Sequence, residues 1–316
     1  MSLISSLIAG LVVVALSTPV AAQQLLSRPI RIVVPFSPAG FPDRIARLLA
    51  AEWSETLQQR VYVENKPGAA GMIGTAEAAR AEPDGTTLVI SSMPTLVLAP
   101  LINPRSDFRP TEDLRHIFYI GGPPNAFVVA STSKIRSFAD LARIAKDTPQ
   151  SYGTAGVGTV GHLTAAYVAK KAQLKLTQIP YNGPMLGDIL SGVLDFGSLT
   201  ASTVMGGIDG GELRAIAVGT DKRLPKYADV PTFKEFGFDI SPISWMAVSG
   251  PAALSQEMQS GLSKQFAEIL ARPKVKAILQ QELIEPIAMS PPELTAFVQR
   301  EIDAWAPIVG AAGLWK

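Results

Sequence analysis

The sequence predicts an α/β fold made of two lobes, and three features of the chain predict it. Short β-branched segments alternate with helical patterns in the first third of the chain, which indicates βαβ units and a mostly parallel sheet. A break rich in glycine and proline at 121–125 interrupts this alternation, and a second α/β unit follows it. From Phe233 onward helical patterns dominate, so we expect the chain to return and pack on the first lobe.

The first lobe is expected to begin with a strand, a loop and a helix. Residues 30–34, with the sequence IRIVV, form a short β-branched strand, and the loop 35–43 follows it. Apolar residues then recur at helical spacing from Ile45 to Trp53. Proline and aspartate at 42 and 43 suit a first helical turn, because proline loses no hydrogen bond there and a carboxylate favours the positive end of the helix dipole.

The same unit recurs further along the chain. In the first lobe a strand is predicted at 61–64, a helix at 73–81 and another strand at 87–91. The second lobe restarts with a strand at 127–130 and a helix at 138–145. Three further helices are expected in the last part of the chain, at 256–271, 274–282 and 292–310.

These patterns divide the chain into four segments. We expect a signal peptide at 1–22, the first part of lobe 1 at 23–124, lobe 2 at 125–225, and a return to lobe 1 at 226–316. A chain of about 294 residues without the signal peptide suits two domains of ordinary size. It also leaves ample length for a core in each lobe.

The amino terminus predicts export. Residues 3–16 form a largely apolar run before the first charged residue, Arg28, and small residues follow at 20–22. This pattern is typical of a secretory signal cleaved after Ala22, and the run is too short for a membrane span of about 20 apolar residues. We therefore expect a periplasmic protein. The segment lacks the usual initial Lys or Arg, so an uncleaved anchor or a buried helix stays open.

Composition excludes several classes of function. The 28 basic and 27 acidic residues nearly balance, so no nucleic-acid or membrane-surface footprint is expected. The chain has no cysteine, which excludes disulfides and zinc–thiolate sites. His116 and His162 are its two histidines, too few for a His-rich metal site, and we expect neither metal nor cofactor. We also expect a monomer.

Nothing in the sequence indicates catalysis. Acyl transfer would need a nucleophile, a base and an orienting acid within reach of one another. The chain has no Gly-x-Ser-x-Gly elbow and no cysteine, and His116 lies outside the loops at the strand ends. The sequence therefore predicts a protein that is not an enzyme.

A glycine-rich loop at 152–162 is the most informative stretch. Its glycines let the backbone approach a ligand closely, and the helix predicted at 163–172 would offer free amides and its dipole to an anion. Thr154 and Thr159 add hydroxyl donors. The spacing Gly-x-Gly-x-x-Gly at 156–161 also matches a dinucleotide fingerprint. We reject that interpretation because no suitable carboxylate follows the next strand to hold a ribose.

The loop after the first strand is expected to form a facing half-site. It contributes the amides of Ser37, Ala39 and Gly40 ahead of a helix on the other lobe. Ligands of open α/β sheets bind outside the carboxyl ends of the strands. Two such loops facing each other across a hinge would enclose a small anion.

At these residues the sequence resembles the Bug-type (TctC-like) extracytoplasmic solute-binding receptors of tripartite tricarboxylate transporters. The resemblance covers nearly the whole chain after the signal-like segment, and the ordered set of motifs is specific although each motif alone is loose. The matching segments are 28–36, 63–71, 83–85, 152–158, 180–183, 229–232 and 310–313.

The resemblance implies a type II periplasmic-binding-protein fold, with a mixed sheet in each lobe and a Venus-flytrap closure over a small carboxylate. It also implies delivery of the ligand to membrane permease subunits. A periplasmic sensor that presents the bound carboxylate to a signalling kinase would have the same fold and stays open as the alternative.

In such receptors, amides and hydroxyls of the two facing loops hold one carboxylate. The corresponding residues here are Phe36, Ser37, Pro38, Ala39, Gly40, Asp43, Thr154, Ala155, Gly158 and Thr159. More variable positions contact the rest of the ligand. The candidates are Ala69, Ala70, Ser91, His162, Tyr181, Asp188 and Thr200.

Three departures from the family pattern bear on the ligand. Ala39 replaces a usual glycine, Asn182 replaces a frequent basic residue, and 198–202 replaces an Asp-rich segment. These changes predict a small, hydroxyl-lined and nearly uncharged pocket. A mono- or dicarboxylate, with or without an aromatic ring, fits such a pocket better than a tricarboxylate.

Five side chains have two interpretations each. Phe36 either stacks on the ligand or packs in the core, and Trp245 either covers the cleft or packs at the hinge. Asp43 and Asp188 either contact the ligand or belong to early helical turns. His162 either contacts the ligand or satisfies the start of its helix.

Overall fold

A computed structural model describes residues 28–103, 107–181, 183–284 and 286–314. The signal-peptide expectation at 1–22 and Asn182 lie outside the described residues. The described chain contains two five-stranded mixed sheets with helices packed on them. The predicted two-lobed α/β fold of the periplasmic-binding-protein type is therefore confirmed. Among the described residues, no helix is both long and apolar enough to cross a membrane.

The first sheet has the strand order β2-β1-β3-β10-β4. β1 pairs in parallel with β2 and β3, whereas β10 runs antiparallel to both β3 and β4. The strands are β1 (Ile30–Val34), β2 (Val61–Asn65), β3 (Thr87–Ser92), β4 (Leu114–Gly121) and β10 (Met246–Pro251).

The second sheet repeats this arrangement with the order β7-β6-β8-β5-β9. β6 pairs in parallel with β7 and β8, and β5 runs antiparallel to β8 and β9. The strands are β5 (Asn125–Ala130), β6 (Gln150–Thr154), β7 (Leu176–Pro180), β8 (Phe196–Thr200) and β9 (Leu213–Val218).

Eleven α-helices connect and cover these strands in the described part of the chain. They are α1 (Phe41–Leu57), α2 (Met72–Ala79), α3 (Ala99–Ile102), α4 (Pro110–Asp113), α5 (Phe138–Asp147), α6 (Val160–Ala172), α7 (Leu186–Leu190), α8 (Met205–Asp209), α9 (Gln256–Leu270), α10 (Pro273–Gln281) and α11 (Pro291–Ala311). Short 3-10 turns at Ala69–Gly71 and Ala201–Thr203 and a π-helical turn at Pro94–Leu98 border the cleft described below.

The C-terminal helices pack on the first lobe, and the last of them, α11, also contacts the second lobe. α9 and α10 belong to the core of the first lobe, where Trp53 of α1 lies against Phe266 with a ring-centroid distance of 4.7 Å. α11 contacts both β4 of the first lobe and α6 of the second. Its buried side chains Trp305 and Val309 share one apolar cluster with Leu163 of α6. The expected return of the tail to the first lobe therefore also builds a bridge between the lobes.

The segment 226–240, expected to belong to the returning chain, packs against the second lobe. The Phe233 amide donates to the Val218 carbonyl oxygen over 3.0 Å. The rings of Phe236 and Phe238 lie 4.4 and 5.5 Å from that of Phe138. We therefore propose that lobe 2 extends to about residue 241, rather than to 225, and that the second crossing follows it.

The two crossings run side by side and form the hinge. The Asn125 amide donates to the Pro242 carbonyl oxygen over 2.8 Å, and the Ser244 amide donates to that of Pro123 over 3.0 Å. Trp245, the next residue, is buried, and its indole N–H donates to Glu301 of α11 over 2.9 Å. Trp245 therefore packs at the hinge.

Gly122 has no room for a side chain at this hinge, and we predict that Gly122→Ala destabilises the protein. A Cβ at this position would lie 2.1 Å from the Ser244 carbonyl oxygen, so the crossing strands would have to move apart. Overpacking of this kind costs about 1–3 kcal/mol of unfolding free energy, which chemical denaturation would measure.

Gly206→Ala is the matched control. Gly206 lies in α8, and no described atom outside the helix backbone around it lies within 4 Å of the position that its Cβ would take. The control should be neutral or slightly stabilising, because alanine favours a helix over glycine by about 1 kcal/mol. Equal stability of the two variants would contradict the close approach at the hinge.

Candidate ligand-binding cleft

A cleft of about 1150 Å³ opens between the two sheets. The parallel strands of each sheet end at it, and the antiparallel strands β5 and β10 begin at it. Loops after β1 and β6 therefore lie on opposite sides of one space, as the sequence predicts from the rule for open α/β sheets.

The structure brings about half of the predicted site residues to the wall of this cleft. Those that line it are Phe36, Ser37, Ala69, Ala70, Ala155, Gly158, Thr159 and Thr200. The remaining candidates do not line the cleft, and several of them form hydrogen bonds that stabilise the loops around it. These are Pro38, Ala39, Gly40, Asp43, Ser91, Thr154, His162, Tyr181 and Asp188.

Asp43 holds the first loop in place. Its carboxylate accepts hydrogen bonds from the Ala39 amide (2.9 Å), the Arg47 guanidinium (2.9 Å) and the Asn65 side chain (2.8 Å). Asn65 also donates to the Phe36 carbonyl oxygen over 3.1 Å. The bond from Arg47, helped by those from Asn65 and Ala39, lowers the pKa of Asp43 to about 2 against the cost of burial. Asp43 is therefore a first-turn helix residue that clamps the loop.

Ala39 adopts a backbone conformation that favours glycine. Its φ of 64° lies in the left-handed region, where an L-residue is strained. A glycine would adopt this backbone angle without strain, and the Ala39 methyl group does not line the cleft.

The polar groups of the loop after β6 form hydrogen bonds with one another and with a neighbouring strand. Thr154 is fully buried, and its hydroxyl donates to the Gly156 carbonyl oxygen (3.2 Å) and accepts from Gln178 (2.8 Å). The Thr159 hydroxyl also donates to Gly156, over 2.8 Å, and caps α6. In this structure both hydroxyls therefore stabilise the loop, and their contact with a ligand stays a prediction.

His162 is part of the same loop structure. Its Nδ1 atom accepts a hydrogen bond from the Gly158 amide over 3.0 Å, so that this nitrogen carries no proton. Desolvation lowers the pKa of His162, which favours the neutral ring. The imidazole therefore accepts a hydrogen bond from the Gly158 amide, next to the start of α6. This contact agrees with the second of the two interpretations of His162.

Three further candidates make contacts elsewhere. The Ser91 hydroxyl is buried in the first sheet, 2.7 Å from that of Ser249, which in turn lies 2.9 Å from Nδ1 of His116. The Tyr181 hydroxyl donates to Asp188 in α7. These contacts pair the polar groups with one another and direct them away from the cleft wall.

The two loops differ in the amide donors that they leave for a ligand. At the start of α1 the Ala39 amide is taken by Asp43, and Pro42 has no N–H. At the start of α6, Val160 and Gly161 line the cleft, and their amides have no partner within the helix, whereas Thr159 caps the His162 amide. The positive end of the α6 dipole also faces this space. The second lobe therefore offers the stronger site for an anion.

The described wall of the cleft carries no charged side chain and no histidine. Most of it is apolar, with Phe36, Phe41, Met72, Leu98, Ile102, Val157, Val160, Met185, Leu186, Leu199, Val204 and Met246. Its polar side chains are Ser37, Ser92, Asn103, Asn125, Thr159, Ser198, Thr200, Thr203 and Ser244. No cluster of potential metal ligands occurs among the described residues of the protein.

Sequence reasoning did not identify Asn125 and Ser244 at the floor of the cleft, and it included Ser198 only within the segment 198–202. Asn125 begins β5 directly after the first crossing, Ser198 lies within β8, and Ser244 lies in the second crossing. Neither glycine-rich motif contains them. The one available signal is the position of Asn125 directly after two prolines, where a strand of the second lobe was expected to restart near the hinge.

Comparison with known proteins agrees with this architecture. The family model of tripartite tricarboxylate transporter family receptors, TctC, matches residues 45–314. The protein BugT of Bordetella pertussis is 30% identical over 304 residues, which cover 94% of this chain and 93% of BugT.

Two solved structures show the same fold at a similar level of identity. R. palustris Rpa4515, solved with adipate, has a TM-score of 0.79 and 29% identity over 91% of this chain and 98% of its own. The periplasmic binding protein BugD has a TM-score of 0.76 and 29% identity over 92% of this chain and 99% of its own.

The family match covers most of the chain, and the resemblance noted from the motifs is thereby confirmed. This chain belongs to the TctC family, the receptors of tripartite tricarboxylate transporters.

Proposed function

We propose that the protein is a periplasmic receptor that captures a small carboxylate in the interlobe cleft and delivers it to the permease subunits of a membrane transporter. The observation that carries the proposal is the start of α6, whose first-turn residues Val160 and Gly161 line the cleft. Free amides at the positive end of a helix dipole stabilise an anion. The adipate-bound relative Rpa4515 supports the same class of ligand.

The wall of the cleft limits the charge of the ligand. Each ionised group that leaves water needs compensating charges or hydrogen bonds. The described wall has no cation, and the strongest set of amide donors lies at one helix start. A mono- or dicarboxylate therefore fits better than a tricarboxylate.

The body of the ligand is proposed to be apolar, with an aromatic ring as one possibility. Phe36 and Phe41 line the side of the first lobe, and Val157 and Leu199 line that of the second. Burial of apolar groups between such walls contributes about 25 cal/mol of favourable free energy for each Å² of apolar surface removed from water. We propose that Phe36 contacts the ligand directly.

A catalytic role has little support. His116 and Ser249 form a hydrogen-bonded pair, as a base and a nucleophile would, but both are fully buried in the first sheet. Burial lowers the pKa of His116 to about 4. We therefore propose a structural role for this pair and no reaction for the protein.

A small aromatic or aliphatic mono- or dicarboxylate is predicted to bind and to raise the melting temperature. Calorimetry and a thermal-shift screen of residues 23–316 would measure both effects. The primary amide of the same compound is the matched control. It should bind roughly ten- to hundredfold more weakly, because hydrogen bonds to a charged group contribute about 1.5–3 kcal/mol. Citrate should also bind weakly. Binding of sugars or amines with no carboxylate hit would contradict the proposal.

The Asp43 clamp gives a second prediction. Asp43→Asn removes the charge that holds Ala39 and Arg47, and should lower the unfolding free energy by about 1–2 kcal/mol at pH 7. It should also weaken ligand binding, because the loop that carries Phe36 and Ser37 is less well fixed. Denaturation curves and calorimetry would measure the two effects.

The stability difference should depend on pH in a defined direction. The pKa of Asp43 is lowered to about 2, so its stabilising effect is complete above the ordinary value of 3.8 and is lost as the pH falls through about 2. The wild type and the variant should therefore converge in acid. Asp209→Asn is the control, because its exposed pair with Lys226 contributes little. A constant difference down to pH 2 would contradict the role of the charge.

A further inference from the structure

Asn125 is held rigidly at the floor of the cleft, between the two lobes. Its amide donates to the Pro242 carbonyl oxygen, and its own carbonyl oxygen accepts from the Gly219 amide, both over 2.8 Å. It pairs with Thr200 in β8. The residue is only 3% exposed, and what remains accessible faces the cleft.

One end of the Asn125 side chain is engaged by the protein and the other end is not. The Ser198 hydroxyl lies 3.1 Å from Oδ1 of Asn125 and 2.7 Å from the Gly161 carbonyl oxygen, and both oxygens accept from it. No acceptor for Nδ2 occurs among the residues that the structure describes. Because Asn125 lines the cleft, its Nδ2 donors remain available to a group bound there.

The unpaired nitrogen lies beside the start of α6. It is 3.2 Å from the position that a Cβ on Gly161 would take, and that position is also only 2.2 Å from the Ser198 carbonyl oxygen. A glycine is therefore required here for α6 to approach β8. The approach places the Nδ2 donors next to the first-turn backbone of a 13-residue helix.

From this geometry we infer that Asn125 is a specificity-determining residue that donates a hydrogen bond from Nδ2 to one oxygen of the ligand's carboxylate. The inference rests on the proposed function and adds to it the place of the carboxylate, at the hinge end of the cleft. The first-turn amides of α6 serve the second oxygen. A bound carboxylate also selects this orientation of the amide, because the reversed one would set Oδ1 against the anion.

A neutral donor suits this place better than a cation would. An Arg or Lys buried to the same degree would need its own counter-charge in the absence of ligand. An amide keeps its donor without that requirement, and the helix dipole supplies the favourable potential. The arrangement therefore recognises one carboxylate and leaves the rest of the ligand to the apolar walls.

The first test variant replaces the Nδ2 donor of Asn125 and keeps the shape of the side chain. In Asn125→Asp the second oxygen takes the place of Nδ2 and repels an anion, so a carboxylate that binds the wild type should bind at least about a hundredfold more weakly. Asn125→Ala removes the donor without adding charge, and should weaken binding roughly ten- to hundredfold. Calorimetry with one carboxylate from the screen above measures all the affinities.

Gln173→Glu is the charge-matched control. Gln173 is exposed at the far end of α6, about 20 Å from its start for 13 residues at 1.5 Å each, and it does not line the cleft. This variant should bind like the wild type. Melting curves without ligand establish that each variant is folded.

The outcomes separate the two levels of the argument. If the wild type binds a carboxylate and Asn125→Asp binds it equally well, the role of Asn125 is overturned and the receptor function stands. If the wild type binds no carboxylate, the proposed function itself fails. Should the variants not fold, a crystal structure of the wild type with the same carboxylate decides. An oxygen within about 3.2 Å of Nδ2 supports the role, and its absence there overturns it.

Discussion

The pair of chain crossings at the hinge is the constraint on which the rest of the structure depends. Gly122 lies so close to Ser244 that no side chain fits between the two crossings. Each crossing leads into an antiparallel strand, β5 or β10, that takes the fourth place in its sheet. The carboxyl ends of the parallel strands in both lobes therefore meet the same cleft. The contact of Trp245 with Glu301 ties this hinge to α11, which itself bridges the lobes.

The features that could be predicted from the sequence are those with a local signal. Alternating strands and helices, the break at 121–125 and the glycine-rich loops all follow from neighbouring residues, and the structure has each of them in place. The acceptor to which a hydroxyl donates has no such local signal in the sequence. Thr154 and Thr159 are equally able to donate to a ligand or to the Gly156 carbonyl oxygen, and only the folded loop decides for the latter.

The floor of the cleft could not be predicted for a different reason. Asn125 and Ser198 are 73 residues apart and meet because β5 and β8 pair antiparallel at the hinge. No motif spans such a distance, and an asparagine after two prolines has no distinguishing pattern. The sequence therefore predicts residues at the rim of the cleft, where the glycines lie, but not the pairing of Asn125 with Ser198 that the two strands bring about.

The described wall of the cleft is uncharged, which would suit the proposed receptor, because such a receptor has to release its ligand. Charged partners buried together attract strongly, and they also leave an uncompensated charge behind when one departs. Amides and a helix dipole lose much less on release, because no ionised side chain stays buried. The same arrangement limits which ligands can bind. The described wall of the 1150 Å³ cleft is mostly apolar and offers few donors, so each additional ionised group on a ligand would lack stabilising partners. In the proposed receptor, selectivity would come from the cost of unpaired charge, and apolar contacts would supply affinity for the body of the ligand.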